Sequence, residues 1–461
     1  MSLKRPPLTA EQIALSEERK KKKAQQAQAA QQLGQSSLDP SLNPNGKILQ
    51  RQWYQIQDTA EGENQTFEGG GVDTDTKLLA QCLVRRELFP TSDCLKAHQR
   101  EHMIYNEVLT QKPDILCLQE VDRLEKLLPV IEQAGYAHVY ASGPGKKHGC
   151  LIGFKNDSYE VVGQRLVQYD EQEVHSEGER NFRLGSSFRT KNIGHIVALK
   201  NLRAENGLIV ATTHLFWHPR YTYERARQAG ILKREVAKFR DENHSDWPCV
   251  IAGDFNFTPD DPAYSLAVGD SLLPAQEDLL QKSYVVHATI DPAVVKMSSK
   301  PEKEDDNEES ADPDVTIVNA RSSIPTDGLL SAQELQTLFS QSGPPLRSVY
   351  DVGLRLYRQM NTNSTEQLTT FGDRVTLPSA RLGSNEPQWT SYTYYWKNSI
   401  DYLFVMDPPN LESSVLGVLS TPQTSELDPG IPRKGVCGSD HISLTATITF
   451  RLTPPNSLHK D

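Results

Sequence analysis

The chain has 461 residues, of which 37% are hydrophobic, and a formal net charge of −11. That balance argues against a uniformly basic nucleic-acid binder. No apolar run approaches the roughly 20 residues a membrane helix needs, and the length suits either two average domains or one large α/β enzyme.

The charge is unevenly placed. Glu302 to Asp314 carries eight acids and one lysine, a net of −7, and removing it leaves −4. The first 23 residues carry seven basic and three acidic side chains, a net of +4, with a lysine cluster at Lys20–Lys23. Residues 1–45 are therefore expected to be a disordered basic tail. The opening MSLKRPPLTAEQ has no apolar core and does not read as a secretory signal. Six scattered cysteines without paired spacing point to reduced thiols in an intracellular compartment, cytoplasm and/or nucleus.

The folded part is expected over 46–452, beginning near Arg51–Trp53. Glu61–Lys77, EGENQTFEGGGVDTDTK, holds three consecutive glycines and almost no apolar pattern, and reads as a loop, irregular at least over Glu61–Val72. Leu78–Phe89 and His98–Leu109 read as helices. Asp114–Gln119 is an apolar strand ending in Glu120. Arg123–Ala134 is an amphipathic helix closed at Gly135, and strands follow at Tyr136–Tyr140 and Cys150–Lys155. Ile196–Leu202 and Leu208–Thr213 form a hairpin through AENG, with His214 at its end. Tyr223–Arg240 is a basic amphipathic helix.

Val250–Ala252 reads as a buried strand leading into Gly253, Asp254, Phe255 and Asn256. On an extended chain Asp254 and Asn256 point to one side and Phe255 to the other. Taken alone, a strand followed by an Asx-turn explains this stretch as well as a phosphate or metal site does. A short helix follows at Asp261–Val268, and an acidic, disordered insertion is expected at about 298–315. Leu329–Phe339 is helical with Ser331 as its cap. Strands follow at Ile400–Val405, Val415–Leu419 and Ser443–Phe450, and 453–461 is a tail. Hairpins among helices exclude pure βαβ alternation. They suggest an α/β (α+β) fold, a four-layered α/β sandwich of two packed mixed β-sheets flanked by helices.

Polar residues recur at strand ends: Glu120, His214, Asp254 with Asn256, Asp401, and Asp440 with His441. A fold that gathers those ends would build a site for phosphate-ester hydrolysis. Glu120 and Asp440 can give a hard divalent ion its oxygen ligands. Asp401 can hold His441, Asp254 can orient or deprotonate a water, and Asn256 and His214 can hydrogen-bond the phosphate.

The motifs LQE (Leu118–Glu120), TTHL (Thr212–Leu215), GDFN (Gly253–Asn256), SIDY (Ser399–Tyr402) and SDH (Ser439–His441) resemble, in order, those of the endonuclease/exonuclease/phosphatase superfamily. LVRRELFP, THLFWHP and EPQWTSYT resemble its deadenylase-related branch, that of nocturnin and the yeast Ngl-type RNA exonucleases. The resemblance covers about Leu78 to Phe450. It implies a Mg²⁺-dependent 3′→5′ exoribonuclease, with Mn²⁺ as an alternative ion, that releases 5′-nucleotides from single-stranded RNA in 3′-end processing or deadenylation. It implies no membrane partner. It makes Glu120 a metal ligand, His214, Asp254, Asn256 and His441 catalytic, and Asp401 the partner of His441. It aligns Trp396 and Pro219 with residues that flank a base, and stacking on a ring is sequence-tolerant.

The sequence departs from the family in one place. The family's first strand ends in a Tyr-Asn pair before LAQ, and that Asn helps bind metal or phosphate. Here Thr76 and Lys77 stand there, and a protonated lysine cannot ligate Mg²⁺. Two other readings follow from the residues. One is a metal-dependent phosphatase of a phosphorylated small molecule. The other is a catalytically weak RNA-binding relative. The basic residues Arg225, Arg227, Lys233, Arg234 and Lys238 are expected to favour a phosphate-rich polymer over a small molecule.

Overall fold

The computed structural model describes residues 46–56, 79–294, 319–362 and 368–452 in full, and 66–77 by their backbone. The basic tail at 1–45, the acidic insertion at about 298–315 and the tail at 453–461 lie outside the described residues, as do 61–65.

Two mixed sheets form the centre. Strands are numbered in chain order. The seven-stranded sheet runs β1 (Trp53–Gln55), β16 (Leu411–Leu419), β17 (Leu444–Leu452), β2 (Thr66–Lys77), β3 (Ile115–Val121), β5 (Gly149–Lys155) and β4 (Tyr136–Ala141). The six-stranded sheet runs β12 (Arg347–Ser348), β15 (Asp401–Met406), β9 (Cys249–Asp254), β8 (Gly207–His214), β7 (Ile193–Asn201) and β6 (Tyr159–Gln168). Each sheet has one parallel pair, β2 with β3 and β8 with β9. Two ribbons complete the set, β10 (Val285–His287) with β11 (Ala320–Ser322) and β13 (Ser391–Tyr392) with β14 (Lys397–Asn398).

The layers follow from strand alternation. Val250 and Ala252 of β9 pack into the space between the sheets, with Cys117, Ile152, Leu403 and Ile448. Cys249 and Ile251 face the other way, against the helix Thr222–Asn243 through Ile231, Leu232 and Val236. Leu116 and Leu118 of β3 likewise meet Ile104 and Val108 of helix Ala97–Leu109 and Leu127 and Ile131 of helix Leu124–Gln133. Helix, sheet, sheet and helix make the four-layered sandwich expected from the sequence. Strands buried on both faces need continuous apolar runs, as CVIAG and DILCL are.

Two local expectations fail. Leu79–Phe89 is not an α-helix but two single 3₁₀ turns, Gln81–Leu83 and Arg86–Leu88. The stretch expected to be irregular contains β2. Its backbone pairs antiparallel with β17 and parallel with β3, setting Asp75 opposite Leu444 and Lys77 opposite Gln119. The glycines carry no strand propensity, but two neighbouring strands offer backbone groups that would cost about 1–3 kcal/mol each if left unpaired.

Helix Ala332–Ser340 starts at Ser331, whose Oγ accepts from the Glu334 N–H at 3.3 Å. Asp261 caps helix Pro262–Val268 by accepting from the Ala263 N–H at 2.8 Å. Helix Val349–Met360 and the long edge strand β6 were not expected from the sequence.

Candidate active site

Register builds the first half of the site. On three adjacent strands His214 is level with Asp254, and Asp254 with Asp401. The strands can close this tightly because Gly253 has no side chain: a Cβ there would lie 2.2 Å from the Thr213 carbonyl oxygen. The His214 Nε2 lies 3.5 Å from Asp254 Oδ2. Asp254 is 0% exposed, and its Oδ1 accepts from the Asn256 N–H at 3.0 Å. The Asn256 Nδ2 donates to the Leu215 carbonyl at 3.0 Å, while Phe255 turns into the helix-side core.

The other sheet supplies the rest. Glu120, near the end of β3, is buried. Its Oε2 accepts from the Ala80 N–H at 2.8 Å and its Oε1 lies 3.9 Å from His214 Nδ1. The segment Ser439–His441 leads into β17 and is held against β13, where the Tyr392 N–H donates to the Asp440 carbonyl at 3.1 Å. His441 Nδ1 sits 2.8 Å from Asp401 Oδ2, and its Nε2 is 3.9 Å from Asp254 Oδ2. Burial, with the nearby Asp254 charge, raises the Asp401 carboxyl above its ordinary range, against the pull of His441.

A cavity of about 450 Å³ opens on this group. Glu120, Asn256, Asp440 and His441 line it together with Trp396 and Pro219. The structure thus brings every site residue named from the sequence into one place. Leu79, Glu120 and Asn256, all at this cavity, have positive φ angles of 56°, 56° and 53°. Non-glycine residues held there cost on the order of 1–3 kcal/mol and cluster at functional sites.

Sequence reasoning missed three contributors. Arg100 is buried behind the carboxylates, donates to the Leu79 and Gly438 carbonyls, and feels the charges of Asp440, Asp122 and Glu120. Phe89 meets Trp396 edge-on at 5.8 Å, and Trp217 lines the cavity. None of these carries a local pattern that distinguishes it from core or surface.

The basic helix is a correction. Arg225, Arg227 and Lys233 are all buried and are engaged within the fold, although Arg225 also lines the cavity wall. Arg225 pairs with Asp261 at 2.9 Å and donates to the His218 and Pro219 carbonyls. Arg227 donates to the Leu184, Tyr169 and Gln172 carbonyls and pairs with Glu224 at 3.2 Å. Lys233 donates to the Phe339 and Gly343 carbonyls. These cations tie loops to the helix layer, and Arg225 fixes the backbone of Pro219.

Two donor sets can be compared for a metal ion. Asp254, Asp401 and His441 bring ligand atoms within 4.8 Å of one another. There, however, His441 Nδ1 is engaged by both Asp401 oxygens at 3.0 and 2.8 Å, so this trio suits proton handling better. Glu120 and Asp440 offer carboxylate oxygens at the cavity wall, and that donor set fits a hard divalent cation.

Residues 95–441 match the endonuclease/exonuclease/phosphatase family, and the chain belongs to it. It is 30% identical over 482 aligned positions to the probable RNA exonuclease C9B6.11c of Schizosaccharomyces pombe, covering 97% of this chain and 89% of that protein. It is 27% identical over 422 positions to RNA exonuclease NGL2 of Saccharomyces cerevisiae, covering 81% and 77%. Its fold is similar to that of ANGEL2, described as a 2′,3′-cyclic phosphatase, with a TM-score of 0.56, 20% identity, and 88% and 99% of the two chains covered. The family and branch are those the sequence motifs resemble. Among the described residues no helix is long and apolar enough to cross a membrane.

Proposed function

We propose that the chain is a divalent-metal-dependent phosphodiesterase that releases nucleoside 5′-monophosphates from the 3′ end of single-stranded RNA. The observation that carries this reading is the hydrogen-bonded line Asp401–His441, aimed at Asp254, beside a cavity that also holds Glu120, Asp440 and Trp396. The names of the two yeast relatives support RNA as the substrate class.

Glu120 and Asp440 hold the ion, Mg²⁺ or Mn²⁺. When bound, it neutralises charge on the phosphoryl oxygens. Asp254 orients the attacking water and accepts its proton. Asp401 keeps the proton of His441 on Nδ1, so that Nε2 faces the reacting phosphate. His214 and Asn256 donate to phosphate oxygens where charge develops. Trp396 and Pro219 flank the terminal base, a sequence-tolerant contact suited to successive nucleotides.

The test is Asp254→Ala. Loss of a positioned catalytic group lowers turnover by about 10²–10⁴, with unchanged thermal unfolding expected. Near-wild-type turnover by a folded variant would remove Asp254 from the mechanism.

A further inference from the structure

The Tyr-rich run Tyr392–Trp396 divides its aromatics between two environments. Trp396 lines the cavity and packs against Phe89. Tyr392 is buried with Leu427, Ile431 and Ile442. Between them, at the tip of the β13–β14 ribbon, Tyr394 is 54% exposed and Tyr395 is 62% exposed, the highest value of any large hydrophobic side chain among the described residues. Their rings meet edge to face at 5.0 Å and 85°.

The tip is fixed despite this exposure. The Thr393 N–H donates to the Trp396 carbonyl at 2.7 Å. The Thr393 Oγ1 accepts from the Tyr395 and Trp396 N–H groups at 3.2 and 3.0 Å. Gly430 abuts the Tyr394 backbone so closely that a Cβ there would lie 2.8 Å from its nitrogen. Two solvent-facing rings on a fixed tip lose little freedom on binding a flat partner. Tyr395 also directly precedes Trp396, which lines the cavity, so the tip adjoins the site along the chain.

We infer that Tyr394 and Tyr395 form an outer stacking platform for bases of single-stranded RNA lying outside the cavity, upstream of the 3′-terminal nucleotide. The inference rests on the RNA reading above. Stacking on ring faces needs no base-specific hydrogen bonds, as a strand that advances nucleotide by nucleotide requires. A protein partner is the other class of occupant for exposed tyrosines, and it predicts no dependence on RNA length.

The experiment is titration calorimetry with Ca²⁺ present, using the dinucleotide ApA and the octanucleotide A8 against the full chain. The wild type is expected to prefer A8. The double variant Tyr394→Ala/Tyr395→Ala should lose about fivefold or more in affinity for A8 and none for ApA. Tyr394→Phe/Tyr395→Phe, which keeps both rings, should bind as wild type. Unchanged A8 affinity in the alanine variant, an equal loss for both ligands, or a wild type indifferent to length overturns the platform. Failure of the RNA reading is separate: the wild type would then release no nucleotide from ApA in Mg²⁺.

Discussion

His441 Nδ1 is 2.8 Å from Asp401 Oδ2, and the two residues come from opposite sheets, Asp401 opening β15 and His441 preceding β17. The contact therefore reports how the sheets are stacked as well as how the imidazole is oriented. Asp401→Asn keeps the shape but favours the wrong imidazole tautomer. It should lower kcat by about 10²–10⁴ with the unfolding temperature little changed. A pH–rate profile and kcat equal to those of the wild type would show that the pair is structural.

Trp396→Ala should weaken RNA binding by roughly 1–3 kcal/mol, raising KM more than it lowers kcat. Trp396 also packs edge-on against Phe89. Unchanged affinity with a lowered melting temperature would assign it to packing alone.

Glu386 gives a pH test outside the site. It is fully buried, and its Oε1 accepts from the Tyr264 hydroxyl at 2.7 Å. Burial and the neighbouring Asp351 charge push its carboxyl up to about 8. A folded-state value raised above the unfolded one contributes stability that is full below the ordinary carboxylate range and is lost as pH rises through about 8. Glu386→Gln preserves the acceptor for Tyr264. Its stability relative to wild type should therefore rise between pH 5 and pH 9, by on the order of a few kcal/mol. A flat difference across melting curves in that window would contradict the assignment.

The layered fold was legible because CVIAG, DILCL and GLIVATT are apolar runs bounded by polar ends. The site was legible for the same reason: its acids and histidines sit at or beside a strand end, Glu120, His214 and Asp254 where a strand stops and Asp401, Asp440 and His441 where one begins. Strand β2 was not, because GGGVDTD has no side-chain pattern and forms a strand only between β17 and β3. Nor could composition show that Arg227 and Lys233 point inward, since the Leu184 and Phe339 carbonyls they bind lie 43 and 106 residues away along the chain. Arg100 likewise acquires its role from Glu120 and Asp440, which only the fold brings near it.

Lys77 stands opposite Gln119, one residue short of Glu120, where the family carries an Asn. The strand is present, so the remaining question is the charge. Lys77→Asn replaces a protonated amine, which cannot ligate Mg²⁺, with an amide oxygen that can, and should raise apparent Mg²⁺ affinity by about tenfold or more. Titration of Mg²⁺ against RNA cleavage for both proteins measures this, and equal midpoints would show that Lys77 does not oppose the ion.

The central claim is tested most directly by incubating the purified chain with 5′-labelled single-stranded RNA bearing a 3′-hydroxyl, in Mg²⁺ and in EDTA. The account predicts a ladder shortening from the 3′ end, nucleoside 5′-monophosphates as products, and no reaction in EDTA. Intact RNA in both Mg²⁺ and Mn²⁺, or phosphate release from small phosphorylated metabolites alone, would contradict it.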